Sequence, residues 1–392
     1  MQTNPESPSS ASGSTDPMIS VVMPCLNEVA SVARCVEKAF RGIESTGLTG
    51  EVVVSDNGST DGSAAAAEAA GARVVHESRR GYGSAYLRGF KAAKGRYLVM
   101  GDADDTYDFE DLQRFVEPLH AGRADMVMGS RLKGNILPGA MPWSHRWIGN
   151  PILSGMLKIL FRTHISDSHC GMRSFTGEAY DRMKLRTTGM EFASEIVVNA
   201  LRAKLRIDEI PITYHVRDGE SKLQGVRDAW RHVRFMLLFS PSYLFLLPGL
   251  LLMAVGLAAV GLLGAGPAEF FDRTWDYHVV LFGCLSLILG YNLAFFDLLA
   301  KRFSISVGFL EPGPLMSKLQ KTFSLELGLI AGGLVALAGI GLEAKIVFDW
   351  ARGGYGELMA VRGITVGMTA IVLGLQTVFG SFLLSLMLIE RE

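Results

Sequence analysis

The chain has 392 residues, 49% of them hydrophobic, and a formal net charge of −1. That length suits about two domains, and a near-neutral chain without a basic stripe offers no footprint for nucleic acid. The mean hydropathy of +0.26 is high for a soluble enzyme, and it comes from long apolar runs that begin only after about Arg234.

Met1–Pro17 is rich in Ser, Pro and Gly, lacks an apolar core, and reads as a disordered tail rather than a signal peptide. Ile19–Met23 is a β-branched run closed by Pro24 and a polar turn. Glu28–Ile43 places Val29, Val32, Val36, Ala39 and Phe40 at helical spacing. Glu51–Val54 is a second strand ending in SDNGSTDGS, followed by a helix at Ala64–Ala70 and a strand at Arg73–Glu77. Gly81–Gly95 reads as turn plus helix, and Arg96–Met100 as the next strand. This alternation predicts an α/β sheet with parallel strands. Ligands bind such sheets at the carboxyl ends of the strands, so PCLNE, SDNGSTD and GDADD should meet at one edge.

GYGSAY lacks the third glycine of a dinucleotide fingerprint and does not open the first βα unit, and no P-loop occurs. After the fourth strand, Asp102, Asp104, Asp105, Asp108, Glu110 and Asp111 fall within ten positions. Carboxylates this close resist ionising together unless a cation joins them. Asp102 and Asp104 point to the same side of an extended segment, which suits a divalent cation that keeps sites for water and phosphate. A solvated loop capping the helix near Phe109 fits the same acids, and fits Asp108, Glu110 and Asp111 better. Taken alone, the residues leave both readings open for Asp102 and Asp104.

His164, Asp167, His169 and Cys170 lack the spacing of a standard zinc motif. The four cysteines form no C-x-x-C pair, which suits a reducing compartment. Glu191 and Glu195 lie one helical turn apart, either at a site or on a helix surface.

Residues 224–242 interleave Arg227, Arg231 and Arg234 with Val226, Trp230, Val233 and Phe235. That pattern fits an amphipathic helix at a membrane surface, or an ordinary helix entering a span. Tyr243–Leu263, Tyr277–Phe296, Leu325–Leu342 and Ile364–Ile389 approach or exceed the roughly 20 apolar residues a crossing needs, which makes 243–392 a membrane domain. With four crossings, Arg227, Arg231, Arg234, Lys301, Arg302, Lys318, Lys321 and Arg391 lie on the side of the N-terminal domain, predicted cytoplasmic. The bias is modest, because Lys345–Arg362 holds three basic residues on the other side. Gly328-x-x-x-Gly332 and Gly363-x-x-x-Gly367 offer small-residue faces for packing within the chain or between copies of a homo-oligomer.

In order, VVMPCLNE, VVSDNGSTDGS, GYGSAYLRGF, GDADDTYD, MGSR, DSHCGMRSF and YHVRDGESK resemble the family-two glycosyltransferases. More narrowly they resemble the polyprenyl-phosphate hexose synthases, the dolichol-phosphate mannose and glucose synthase group, over about residues 18–235. The resemblance implies a GT-A type nucleotide-diphosphosugar domain over 18–223, followed by an α-helical transmembrane domain of four spans. It implies that Pro24, Leu26, Asn27 and Glu28 line the nucleotide pocket, with Asp56 at the base or ribose. Asp102 and Asp104 match the D-x-D that holds Mg²⁺ or Mn²⁺. Thr106 stands where some members carry a metal-touching Gln. Arg131, Arg146 and Arg217, joined by Lys222, match basic residues around the donor and acceptor phosphates, while Asp167 and Arg173 shape the acceptor side.

The implied reaction is inverting transfer of a hexose from a UDP- or GDP-sugar to undecaprenyl or dolichyl phosphate at the cytoplasmic face of the plasma membrane. Asp104, Arg131 and Arg217 are its expected catalytic residues. A monophosphate acceptor is already anionic and needs no strong base, but it needs arginine forks to approach a second anion. Two other readings stay in view. A processive polysaccharide synthase would typically carry Q-x-x-R-W, which is not found. A transporter or flippase with a regulatory nucleotide-sugar domain would need ionisable residues in its spans, where Asp297 is the main one.

Overall fold

The computed structural model describes residues 16–218, 225–270, 272–306, 313, 316–317 and 324–387. Most of the expected tail and Lys222, Lys318, Lys321 and Arg391 lie outside the described residues. The chain divides into two compact units between Met236 and Leu237.

In the first unit, β1 (Ile19–Cys25), α1 (Val32–Ser45), β2 (Gly50–Asp56), α2 (Ser63–Ala69), β3 (Arg73–His76), α3 (Tyr82–Ala92) and β4 (Tyr97–Met100) alternate along the chain. They are followed by α4 (Leu112–His120), β5 (Met126–Ile136), α5 (Asn150–Phe161), β6 (Arg173–Thr176), α6 (Gly177–Met183), α7 (Phe192–Arg202) and β7 (Ile207–Tyr214). A last helix, α8 (Gly225–Leu238), leads toward the apolar half.

The seven strands form one sheet in the order β3-β2-β1-β4-β6-β5-β7. The four strands expected from the sequence, β1 to β4, pair in parallel, and the sheet is mixed because β6 runs antiparallel to both β4 and β5. The chain leaving β5 stays at the edge where that strand ends, so β6 must run back. A parallel strand would need a crossover to the opposite edge. Val21, Val54 and Val99 on the central strands are almost fully buried, and α1 covers them with Val32, Val36 and Ala39. Each such side chain contributes roughly 1.5–3 kcal/mol of burial.

Register places the polar clusters together. Cys25 at the end of β1 lies opposite Asp56 at the end of β2, and Val22 lies opposite Met100 at the end of β4. The first helix begins at Val32, later than its apolar spacing suggests. Asn27 turns the chain with a left-handed φ of 51°, so Asn27, Glu28 and Val29 belong to the site edge and not to the helix.

The second unit contains four helices long and apolar enough to cross a membrane: Ser242–Leu263, Tyr277–Ser306, Leu325–Arg352 and Val361–Leu386. They pair as two antiparallel hairpins along glycine seams. A Cβ on Gly249 would meet the Gly290 carbonyl at 2.9 Å, and one on Gly256 would meet that of Gly283 at 2.5 Å. In the second hairpin, a Cβ on Gly332 would meet the Gly374 carbonyl at 2.7 Å and one on Gly339 that of Gly367 at 2.6 Å. On every helix the two glycines are seven residues apart, two turns along one face. Gly332 and Gly367 of the expected G-x-x-x-G faces therefore join partners inside this chain. Between lipid-bathed helices, such close backbone approach supplies the packing that a hydrophobic driving force does not.

Candidate active site

The loops after β1 and β2 are zipped together by side chains. The Ser59 hydroxyl accepts from Asn27 N at 2.9 Å, Ser63 accepts from Glu28 N at 2.8 Å, and Asp61 accepts from Val29 N at 3.0 Å. In return, Asn27 Oδ1 accepts from Thr60 N at 2.8 Å. The polar residues of SDNGSTD thus set the shape of the PCLNE turn. At the tip of β2, Asp56 accepts from Gly58 N and Ser59 N at 3.2 and 3.0 Å and lies 3.2 Å from His76 Nδ1. Burial pushes its carboxyl up, but the bonds from Ser59, His76 and Gly58 outweigh that and hold it below the usual carboxylate range. Asp56 therefore faces the edge as an anion.

Asp102 and Asp104 sit at the end of β4 and have different surroundings. Asp102 Oδ1 accepts hydroxyls from Tyr82 at 3.0 Å and Tyr86 at 3.1 Å. Burial first, and then the neighbouring Asp104, lift its carboxyl to about 7, against the pull of the two tyrosines and Arg217. Its other oxygen looks onto Gly171, where a Cβ would stand only 2.9 Å away. Asp104 Oδ1 accepts the Thr106 hydroxyl at 2.6 Å, and its Oδ2 lies 3.0 Å from Arg217 Nη1. Arg217 Nη2 reaches across to Glu28 Oε1 at 2.5 Å. One guanidinium thus spans the β1 loop and the acid cluster, while its buried Nε has no hydrogen-bond partner among the described residues. Thr106, at the position where some family members carry a metal-touching Gln, holds Asp104 through its hydroxyl.

The remaining acids behave differently. Asp105, at a left-handed φ of 60°, is neutralised by Arg34 at 2.8 Å and Lys38 at 2.7 Å. Asp108 accepts from Glu110 N at 3.0 Å at the start of the following turn, and Glu110 and Asp111 pair with Arg41 and Arg114. These three are the capping and surface acids of a solvated loop, as expected for Asp108, Glu110 and Asp111.

The arginines separate into distinct roles. Arg131 is buried, and its Nε and Nη2 donate to Asp167 at 2.7 and 2.8 Å. The fork expected to face a phosphate is thus occupied by a carboxylate, and Asp167 is fully buried with it. Arg173 is likewise enclosed, donating to the carbonyls of Cys170, Ala193 and Ser168, each at 2.8 Å. It pins the loop that brings Gly171 to Asp102, so its geometry is that of a brace and not of a phosphate contact. Arg146 lies on an exposed π-helical turn, His145–Gly149, with its guanidinium over the Trp147 ring. Pro24 is the penultimate residue of β1 and Leu26 lies just beyond its end, and Lys222 lies outside the described residues.

Two side chains that the sequence did not single out belong to this site. Tyr82 and Tyr86 come from GYGSAY, one turn apart on α3, and both reach Asp102. The glycines of that stretch let α3 approach closely: a Cβ on Gly81 or Gly83 would strike the Thr188 or Thr187 carbonyl at 2.2 or 2.3 Å. Glu195 fixes that opposing loop, accepting from Arg186 N, Thr187 N and the Thr187 hydroxyl. It is therefore a buried support and not a helix-surface acid. His169 packs against His232 of α8 with ring centroids 4.4 Å apart, and His164 is exposed.

This arrangement agrees with what the chain is similar to. The family model for glycosyl transferase family 2 matches residues 20–185, and that for the glycosyltransferase family 2 C-terminal transmembrane region matches residues 298–388. The chain is 41% identical over 375 residues to the low-salt glycan biosynthesis hexosyltransferase Agl6 of Haloferax volcanii, covering 96% of this chain and 90% of that protein. The chain belongs to the family-two glycosyltransferases: it is a membrane-bound glycosyltransferase with a GT-A domain and four apolar helices. It is also 26% identical over 253 residues to dolichyl-phosphate beta-glucosyltransferase of Saccharomyces cerevisiae, covering 58% of this chain and 75% of that one. Among solved structures, glucosyl-3-phosphoglycerate synthase from Mycobacterium tuberculosis, in complex with Mn²⁺, UDP and glucosyl-3-phosphoglycerate, is 22% identical with a TM-score of 0.44. That likeness covers 56% of this chain and 79% of the other.

Proposed function

We propose that this glycosyltransferase moves one hexose from a UDP- or GDP-sugar to a polyprenyl phosphate at the cytoplasmic membrane face, inverting the anomeric carbon. The observation that carries the reading is Arg217 spanning Glu28 and Asp104 beside Asp102, where the β1, β2 and β4 loops meet. Cation and carboxylates together suit a diphosphate leaving group. A lipid acceptor is supported by the four apolar helices and by the likeness to the yeast dolichyl-phosphate beta-glucosyltransferase.

A divalent metal fits the donor set. Tyrosine and threonine hydroxyls anchor one oxygen of each carboxylate, and Gly171 leaves beside Asp102 Oδ2 a space that any side chain would fill. Asp102 and Asp104 would hold Mg²⁺ or Mn²⁺, which supplies charge stabilisation to the departing diphosphate. Arg217 adds charge-assisted hydrogen bonds to the same oxygens, and Glu28 aims its guanidinium. Asp56 takes the base or ribose end of the nucleotide. The acceptor phosphate oxygen attacks opposite the leaving group, with no base required of the protein. Arg131, held by Asp167, keeps the acceptor-side loop in place as a positioning residue.

The direct test incubates purified protein with radiolabelled UDP- and GDP-hexoses and undecaprenyl or dolichyl phosphate. A single lipid-linked hexose, lost on chelation by EDTA, is the expected product. A ladder of longer glycans would instead mark a processive synthase, and no labelled lipid with any donor would overturn the reading. Orientation needs an engineered cysteine, because all four native thiols are buried. Labelling of Glu68→Cys from outside intact cells would refute a cytoplasmic catalytic unit.

A further inference from the structure

Apart from the acid cluster, a chain of polar side chains runs through the catalytic unit from α5 to α8 by way of the loop that precedes β6. Ser154 of α5 accepts from Ser168 N at 3.3 Å, and the two hydroxyls lie 3.2 Å apart. Ser168 Oγ lies 2.9 Å from His169 Nδ1, and His169 Nε2 lies 3.3 Å from Ser194 Oγ of α7. Ser194 Oγ lies 2.8 Å from Nδ1 of His232 on α8, whose ring stands edge-on to that of His169. Ser154, Ser168, Ser194 and His232 are all buried. No motif of the sequence contains His232, and the proposed reaction makes no use of it.

The hydrogens along this chain are ordered together. Ser194 has one hydroxyl hydrogen and faces two ring nitrogens, so it donates to one and accepts from the other. A neutral His169 carries one N–H, so the choice made at Ser194 fixes whether Ser168 donates to the ring or accepts from it. Through Ser194, His232 therefore selects the tautomer of His169, and a break at one link is felt along the rest.

The loop held in this way borders the acid cluster. Arg173 and Glu209 fix its backbone at Ser166, Asp167, Ser168 and Cys170, whereas the His169 ring carries it to His232. Two residues after His169, Gly171 N donates to the Tyr107 hydroxyl at 2.7 Å, and a Cβ there would stand 2.9 Å from Asp102 Oδ2. A small shift of this backbone would close or widen the space beside that oxygen.

We infer that His232 is a positioning residue for the metal site: through Ser194 and His169 it holds the loop that sets the clearance beside Asp102. The inference rests on the assignment of Asp102 and Asp104 to a divalent cation, and goes beyond it by making cation affinity depend on a helix that contributes no ligand.

The test measures Mn²⁺ binding to the full chain in detergent, from the electron paramagnetic resonance of the free ion, in the presence of UDP or GDP. Asp104→Asn is the reference for loss of the site. His232→Phe keeps an aromatic ring without a hydrogen-bonding nitrogen, and should weaken Mn²⁺ binding about three- to tenfold, the scale of one neutral hydrogen bond. His232→Asn, whose amide stands near the place of Nδ1, should recover most of that loss. Ser194→Ala should weaken binding to a similar extent. The double variant His232→Phe/Ser194→Ala should lose no more than the larger single loss, because the same chain is broken either way. Unchanged Mn²⁺ affinity in His232→Phe, with or without a lowered melting temperature, would overturn the inference, and so would losses that add in the double variant. Unsubstituted protein that binds Mn²⁺ no better than Asp104→Asn would remove the metal assignment and this inference with it.

Discussion

Tyr86 donates its hydroxyl to Asp102 Oδ1 at 3.1 Å, and Tyr82 does the same from one turn earlier. Through these two bonds the GYGSAY stretch becomes part of the acid cluster. Hydrogen bonds to charged groups contribute about 1.5–3 kcal/mol each, and these two favour the ionised form of a carboxyl that burial lifts to about 7. The double variant Tyr82→Phe/Tyr86→Phe keeps the ring packing. It should raise the Mg²⁺ or Mn²⁺ concentration for half-maximal turnover about tenfold or more. Steady-state rates over a metal titration check this, and an unchanged metal requirement would detach the tyrosines from the site.

Asp104 receives the Thr106 hydroxyl on one oxygen and Arg217 on the other. Asp104→Asn preserves the Thr106 contact and most of the volume but removes the charge. Turnover should nearly vanish while the melting temperature shifts little. Full activity in Asp104→Asn, or in excess EDTA, would remove the metal assignment.

Arg217 and Arg131 were indistinguishable as letters in a motif, and their surroundings now separate them. Arg217→Lys loses the fork that spans two loops and should slow turnover by roughly 30- to 1000-fold with the fold intact. Arg131 and Asp167 form a buried pair, and removing one partner of such a pair costs about 3–5 kcal/mol. Asp167→Ala should therefore lower the melting temperature steeply, with activity lost as a consequence. Thermal melts beside kinetics distinguish the two. Equal stability losses in Arg217→Lys and Asp167→Ala would erase the distinction.

Much of this molecule was legible from the chain alone, for physical reasons. Strands such as Val52–Val54 are buried on both sides and read as apolar runs. The spans exceed what a soluble core requires, and Asp102 with Asp104 stood out because repelling carboxylates need an explanation. The direction of β6 was not legible, because four residues, Arg173–Thr176, have no local pattern that encodes orientation. Nor were the tyrosine donors, since hydroxyls on a helix declare no target in sequence. Arg173 was placed on the acceptor side by motif, but its bonds to three carbonyls are ones that only the folded loop assembles. The seven-residue glycine spacing was hidden behind the more familiar G-x-x-x-G.

Those seams give a stability prediction. Gly256→Leu or Gly339→Leu would force apart backbones that now approach so closely that a Cβ would sit 2.5 or 2.6 Å from a carbonyl oxygen. Gly341, on the same helix with open space around it, is the control. Seam variants should lose thermal stability in detergent, whereas Gly341→Leu should change little. Equal tolerance at Gly339 and Gly341 would mean that the seam contributes nothing to packing.

The last prediction concerns pH. His169 Nδ1 lies 2.9 Å from the Ser168 hydroxyl, and its Nε2 lies 3.3 Å from Ser194, which also bonds His232 Nδ1 at 2.8 Å. Burial above all, then His232, Arg131 and Arg173, holds the His169 imidazole well below its ordinary value of 6.5. It is neutral in the fold. In the unfolded chain an ordinary histidine takes up a proton as pH falls through about 6.5, so the unfolded state binds more protons in acid. The stability tied to this group is therefore complete above about pH 6.5 and declines below it, by up to about 1.4 kcal/mol per pH unit, until the folded imidazole itself titrates. His169→Asn should be less stable at neutral pH but lose less between about pH 7.5 and 5.5. Melting temperatures of both proteins across that range decide it. Parallel curves would show that protonation of this histidine does not contribute to acid destabilisation.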